Sequence, residues 1–183
     1  DTVNLAIGQG YLLVTPVQVA RMMVAVANGG TLYSPYVIAR IAAPIDGSAP
    51  EIVTQPRVVG ELPISAANLA AIQDALLGVT TDDIGTAWHR FSGLTIPVAG
   101  KTGTAESGGP ESLPHSWFAS YAPANAPEIA IVVVVEQVGE GSTYAAPMTR
   151  QVVEAYYGLP LTELPEVARE GYVTPTPEPT SQP

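Results

Sequence analysis

A chain of 183 residues with 46% hydrophobic content is long and apolar enough for one packed domain. A net charge of −10 and a pI near 4.4 argue against a nucleic-acid partner, whose phosphates the chain would repel. With no cysteine there is no disulfide framework and no thiolate chemistry, and two histidines far apart in sequence form no metal-ligand cluster, so no cofactor is expected.

In chain order, the first predicted element is a helix opening at Thr15-Pro16-Val17-Gln18. Thr15 can cap it, Pro16 suits the first helical position, and Gln18 completes a capping box. The helix runs through Val19, Met22, Met23 and Val26 and stops at Asn28-Gly29-Gly30, where a left-handed cap is easy. Apolar residues surround it except at Gln18 and Arg21, which predicts a buried central helix with both methionines as core fillers. Prolines at 35, 44, 50, 56 and 63 restrict residues 31–63 to short strands and loops. Ser65 can cap a second helix, in which Leu69, Ile72, Ala75 and Leu76 mark one face and Gly78 is the expected stop. A turn-rich connection spans Asp82 to Arg90.

Three strands are predicted next, over Thr95 to Thr104, Ser116 to Tyr121 and Ile129 to Glu136. The unbroken apolar run of the third implies burial on both faces. Between the first two, Glu106 to Pro114 reads as a polar, mobile loop. A final helix is expected from about Ala145 to Tyr157, with Pro147 in its first turn and Gly158 and Pro160 closing it. Consecutive strands pair most often as antiparallel neighbours with helices over their faces. The fold class is therefore α+β, an α/β sandwich with an antiparallel sheet flanked by helices. Residues 1–160 form the folded part and 161–183 an extension, whose Pro/Thr-rich tail from about Thr174 is expected to be disordered. No apolar run is long enough for a membrane span, and no signal peptide is present.

The run Val98-Ala99-Gly100-Lys101-Thr102-Gly103-Thr104-Ala105-Glu106 carries the most chemistry. Lys101 is the only lysine of the chain. Thr102 and Thr104 stand two residues apart, so on a strand both hydroxyls face one side. Gly103 leaves the other side open to close approach. An ammonium, two hydroxyls and the free N–H groups of an edge strand together make an anion site.

This run resembles the Lys-Thr-Gly motif of penicillin-binding proteins and serine β-lactamases. Three further stretches resemble segments that precede it in high-molecular-mass penicillin-binding proteins: Ile7-Gly8-Gln9-Gly10, Val14-Thr15-Pro16-Val17-Gln18-Val19-Ala20 and Ala27-Asn28-Gly29-Gly30. Gly85-Thr86-Ala87 also resembles a family segment ahead of the motif. His115-Ser116-Trp117-Phe118-Ala119-Ser120-Tyr121-Ala122-Pro123 resembles the strand that follows, and Ala145-Ala146-Pro147 the start of the last helix. The wording over residues 1–158 is most like the class B, elongation-type group of penicillin-binding protein 2. Two family motifs are missing. The single position three residues before a lysine is Val98, so there is no Ser-x-x-Lys, and no serine has an asparagine two residues later. The chain thus reads as the C-terminal part of a transpeptidase domain, an incomplete version of the serine β-lactamase-like fold.

The resemblance implies site roles residue by residue. The Thr104 backbone N–H would donate to the tetrahedral oxyanion. The Thr102 and Thr104 hydroxyls, around Gly103, would hold a substrate carboxylate, and Lys101 would make the site positive. The implied substrate is a peptidoglycan stem peptide ending in D-Ala-D-Ala, with β-lactams as mimics. The missing N-terminal half of the domain and a SEDS-type glycan polymerase are the implied partners. The implied location is the extracytoplasmic face of the bacterial membrane, held by an N-terminal anchor outside this chain. Two other functions fit the same residues: a β-lactam sensor or β-lactamase, and a non-catalytic binding module. Outside the motif, His115 is expected to be structural, Glu106 to be a solvated loop carboxylate, and Trp117 and Phe118 to be packing residues on opposite strand faces.

Overall fold

The computed structural model describes residues 2–45, 48, 50–106, 108 and 112–170. The tail from Thr174, and part of the loop expected between Glu106 and Pro114, lie outside the described residues. A short helix α1 (Thr2–Ala6) buries no side chain and leads into the Gly8-Gln9-Gly10 turn. Helix α2 (Pro16–Ala27) begins as its sequence requires. The Thr15 hydroxyl accepts the Gln18 N–H at 3.3 Å, and the Gln18 carboxamide accepts the Thr15 N–H at 2.7 Å. Such a cap is worth about 1 kcal/mol. The helix closes at Asn28, and Gly29 and Gly30 take φ values of 90° and 111°.

Burial of α2 is narrower than its composition suggests. Met23, Ala25 and Val26 are buried, while Val17 is 60% and Met22 50% exposed. Val24 is exposed as well, so the helix keeps several large apolar side chains that no element covers among the described residues.

Residues 31–63 form two small antiparallel pairs. Strand β1 (Thr31–Tyr33) pairs with β4 (Val58–Glu61), and β2 (Arg40–Ile41) with β3 (Ile52–Val53). Helix α3 (Ala66–Thr81) starts at the Ser65 cap but passes through Gly78. Its extra turn is held from both ends: the Gly78 carbonyl accepts the Asp82 N–H, and the buried Thr80 hydroxyl donates to the Val98 carbonyl at 2.5 Å. The packed stripe also differs from the expected one. Leu69, Gln73, Leu76, Leu77 and Thr80 turn inward, while Ile72 and Ala75 face solvent. A short helix α4 (Trp88–Phe91) lies in the expected turn-rich connection.

The main sheet has the order β5-β6-β7, antiparallel throughout: β5 (Ala99–Ala105), β6 (His115–Ala122) and β7 (Ile129–Val135). Strand β5 begins four residues later than predicted. The Pro97 carbonyl accepts from Ala124 and the Val98 carbonyl from Thr80, so residues 95–98 are engaged outside the ladder. The period of two along β6 separates two cores. Phe118 and Ala122 join Phe91, Val98, Ile131 and the inner face of helix α5 (Ala145–Tyr156). Tyr121 joins Met23, Val26, Leu69 and Ala99 on the α2 and α3 side. Helices thus cover both faces of the sheet, as the fold class requires. In β7 only Ile131 is buried and the other residues are half-buried, because β7 is an edge of this three-stranded sheet.

Within α5 a buried ion pair ties the C-terminal segment to the core. Arg150 Nε donates to Glu154 Oε1 at 2.7 Å, and Arg150 Nη1 donates to the Arg90 and Ser92 carbonyls. Glu154 also accepts the Thr162 N–H and hydroxyl at 2.7 and 2.6 Å. A last short helix α6 (Glu166–Glu170) lies in the extension, where none was predicted.

Candidate functional site

The Lys-Thr-Gly run occupies β5, and β5 is an edge strand. Its partner β6 pairs Lys101 with Ala119, Thr102 with Phe118, Gly103 with Trp117 and Thr104 with Ser116. Thr102 and Thr104 therefore share the α5 face, as predicted, and Lys101 starts from the opposite face. The lysine closes the gap over the edge: Nζ donates to the Thr102 carbonyl at 2.9 Å and to Thr102 Oγ1 at 3.1 Å. Lys101 and Thr104 are exposed, and Thr102 is half-buried.

Strand geometry also fixes where the N–H groups point. The Thr104 carbonyl accepts Gln9 Nε2 at 3.1 Å, from beyond the open edge. In an antiparallel strand the N–H and C=O of one residue point the same way, so the Thr104 N–H also points off that edge. A donor aimed outward from a rigid strand is what an oxyanion needs.

The hydroxyls are set by neighbours that sequence reasoning did not join to them. Thr86 Oγ1 lies 3.2 Å from Thr102 Oγ1. If Thr86 and Lys101 donate to Thr102, the Thr102 proton is free for a carboxylate. The Gly141 N–H lies 3.4 Å from Thr104 Oγ1, which leaves the Thr104 proton similarly available. Gly141 can lie there because it has no side chain: a Cβ would fall 2.6 Å from the Gly103 carbonyl oxygen and closer still to that of Trp117. On the other face, a Cβ on Gly103 would come within 3.0 Å of the Trp117 Cβ. The short signal Gly85-Thr86-Ala87 was visible in the sequence, but its reach to Thr102 was not.

A shallow concavity of about 320 Å³ adjoins the lysine, lined by Asp74, Gly78, Asp82, Ile84, Thr86 and Lys101. A larger one of about 430 Å³, between α2, β4 and α3, contains no residue of the run. The donors and the ammonium, rather than volume, mark the site.

The remaining candidates stay outside it. His115 Nδ1 accepts the Gln137 N–H at 3.1 Å, which fixes the ring as a structural acceptor at the start of β6. Phe118 is fully buried and stacks on Phe91, with centroids 5.3 Å apart. Trp117 is half-buried on the other face. Glu106 is exposed, and its N–H donates to Gln9 Oε1 at 3.3 Å. Among the described residues no helix is long and apolar enough to cross a membrane.

Comparison with known proteins identifies the family. Residues 1–154 match the family model described as the penicillin-binding protein transpeptidase domain. The peptidoglycan D,D-transpeptidase MrdA of Haemophilus influenzae is 30% identical across 93% of this chain. PbpA of Mycobacterium tuberculosis, also a peptidoglycan D,D-transpeptidase, is 30% identical across 82%. The chain spans only 29% and 30% of the lengths of these two relatives. Among solved structures, Pseudomonas aeruginosa PBP2 in complex with WCK 5153 superposes with a TM-score of 0.69 at 32% identity, over 85% of this chain and 32% of that one. The imipenem acyl-enzyme complex of penicillin-binding protein A from M. tuberculosis gives 0.70 at 28% identity, over 84% and 33%.

Proposed function

Because this chain belongs to the penicillin-binding protein transpeptidase family, we propose that it supplies the substrate-holding and oxyanion-stabilising part of a peptidoglycan D,D-transpeptidase. The observation that carries this reading is the edge of β5, where the outward Thr104 N–H lies beside the Thr102 hydroxyl and Lys101 Nζ. The nucleophile comes from an upstream half of the same domain, because no Ser-x-x-Lys occurs in these residues. Residues 1–160 are the C-terminal part of that domain, and residues from 161 onward extend it.

The reaction then runs as an acyl transfer. The upstream serine Oγ forms a bond to the carbonyl carbon of the penultimate D-alanine. The carbonyl π electrons move to oxygen, and the Thr104 N–H donates to the resulting oxyanion. Collapse expels the terminal D-alanine, whose amine takes up the proton lost by the serine. The amine of a second stem peptide then displaces the serine and forms the crosslink. The Thr102 and Thr104 hydroxyls bind the carboxylate of the terminal D-alanine, with Lys101 supplying positive potential. A β-lactam enters by the same route, but its leaving nitrogen stays attached through the opened ring. The protein works at the extracytoplasmic face of the membrane, held by an anchor outside these residues, with a SEDS-type glycan polymerase as partner.

Fluorescent penicillin tests this. The protein carrying the upstream half is expected to be labelled covalently, with the label surviving denaturation. The 183-residue chain alone is expected to stay unlabelled. Labelling of the chain alone, or none of the longer protein when folded, refutes the reading.

A further inference from the structure

Gln9 lies 95 residues before Thr104 in the chain, yet its carboxamide meets the edge of β5 twice. Nε2 donates to the Thr104 carbonyl at 3.1 Å, and Oε1 accepts the Glu106 N–H at 3.3 Å. A carboxamide offers one acceptor beside its donors, the same pair that a residue of a neighbouring strand would present. Gln9 therefore extends the sheet by one side chain at the end of β5. The turn that presents it is built for this. Gly8 and Gly10 on either side have φ values of 75° and 84°, and the Gln9 N–H donates to the Asn4 carbonyl at 2.8 Å. The side chain is half-buried although the residues of α1 are all exposed. Neither the substrate chemistry above nor the core uses this contact.

We propose that Gln9 is a positioning residue for acyl transfer: by holding the Thr104 carbonyl and the Glu106 N–H, it fixes the direction in which the Thr104 N–H points. This rests on the reading of that N–H as the oxyanion donor. The Thr104 N–H and carbonyl flank one Cα and point off the same edge, so holding that carbonyl and the next outward N–H limits rotation of the strand end about Thr104 and Ala105. An edge strand ending here without the clamp would keep its ladder with β6 but could swing its outer groups. Oxyanion stabilisation depends steeply on donor placement, so the effect belongs to the chemical step rather than to ligand binding.

The experiment uses the longer protein with its upstream half, and two variants. Gln9→Met keeps length and packing but loses both hydrogen bonds. Gln9→Glu keeps the acceptor and loses the donor. For penicillin, the acylation rate constant at saturation and the noncovalent dissociation constant are measured separately, beside the melting temperature. Gln9→Met is expected to acylate about tenfold more slowly, the worth of two neutral hydrogen bonds, and Gln9→Glu, which loses only the donor, about threefold more slowly. The dissociation constant should stay within about threefold, and the melting temperature within about 2 °C. A wild-type rate constant in folded Gln9→Met overturns the proposal. So does a loss in which affinity falls as far as rate, or in which rate merely follows the melting temperature. An unmodified protein that is not acylated at all is a different failure, because it removes the reading on which this one rests.

Discussion

At the scale of single residues, one ammonium and two hydroxyls share a short length of strand edge, and their loss should be separable. Lys101→Ala removes the donor to Thr102 Oγ1 and the only lysine of a chain with net charge −10. Thr104→Val keeps the shape and the backbone N–H while removing the hydroxyl that faces Gly141. In the protein with its upstream half, Thr104→Val should slow β-lactam acylation by roughly tenfold, since a hydrogen bond to a charged group is worth about 1.5–3 kcal/mol. Lys101→Ala should slow it more. Second-order acylation rates beside melting temperatures decide this: unchanged rates in folded variants would make the run a plain strand end. The motif itself was legible because it is contiguous, and its spacing of two sets the side that both hydroxyls face. Gln9 and Thr86 were named in resembling segments, but their contacts to Thr104 and Thr102 are long-range and follow from no local pattern.

At the scale of elements, local chemistry spoke clearly wherever caps decide the outcome. Thr15, Gln18 and Ser65 start their helices as capping rules demand. Gly78 failed as a stop because the tertiary bond from Thr80 to the Val98 carbonyl outweighs the weak propensity of one glycine. The buried pair in α5 was not anticipated, since Arg150 and Glu154 also fit an exposed i, i+4 pair. It makes a pH prediction. Burial pushes the Glu154 carboxyl upward, but hydrogen bonds from Arg150 and Thr162 and the Arg150 charge outweigh it and hold the group below the usual carboxylate range. A carboxyl held low when folded adds stability above its unfolded value of about 4.3, and that contribution is lost as pH falls through the folded value. Glu154→Gln should therefore melt lower at neutral pH and lose less stability than the parent on acidification below about pH 4.3. Parallel melting curves in pH-stepped buffers measure this, and equal acid sensitivity of the two proteins would contradict it.

At the scale of the whole molecule, two cores back to back on one sheet account for the α+β class that the order of predicted strands and helices suggested. Complete burial of α2 did not hold within this chain, because periodicity shows that a helix is apolar but not which chain covers it. Val17, Met22 and Val24 remain exposed on a helix that also carries the buried Met23, Ala25 and Val26. In the 183-residue chain, amide hydrogen exchange over Val17–Met22 should run at least about tenfold faster than over Ala119–Tyr121, the fully paired central strand. Addition of the upstream half should slow it. Equal protection of the two segments in a monomer would show that α2 needs no further partner.

The outer side of β7 carries one more implication. Ile129–Val135 is seven apolar residues without a charge or proline, six of them β-branched, bracketed by Glu128 and Glu136. In the 183-residue chain this run is a sheet edge, and such a run can stack on its own copies into a cross-β ladder. The two glutamates then act as electrostatic gatekeepers, since stacking in register would bring like charges about 4.8 Å apart along a fibril. Neutralising both, as Glu128→Gln with Glu136→Gln, should shorten the lag before thioflavin T fluorescence rises. An unchanged lag would mean that the half-buried faces of β7, held between α2 and α5, already keep the strand out of fibril nuclei.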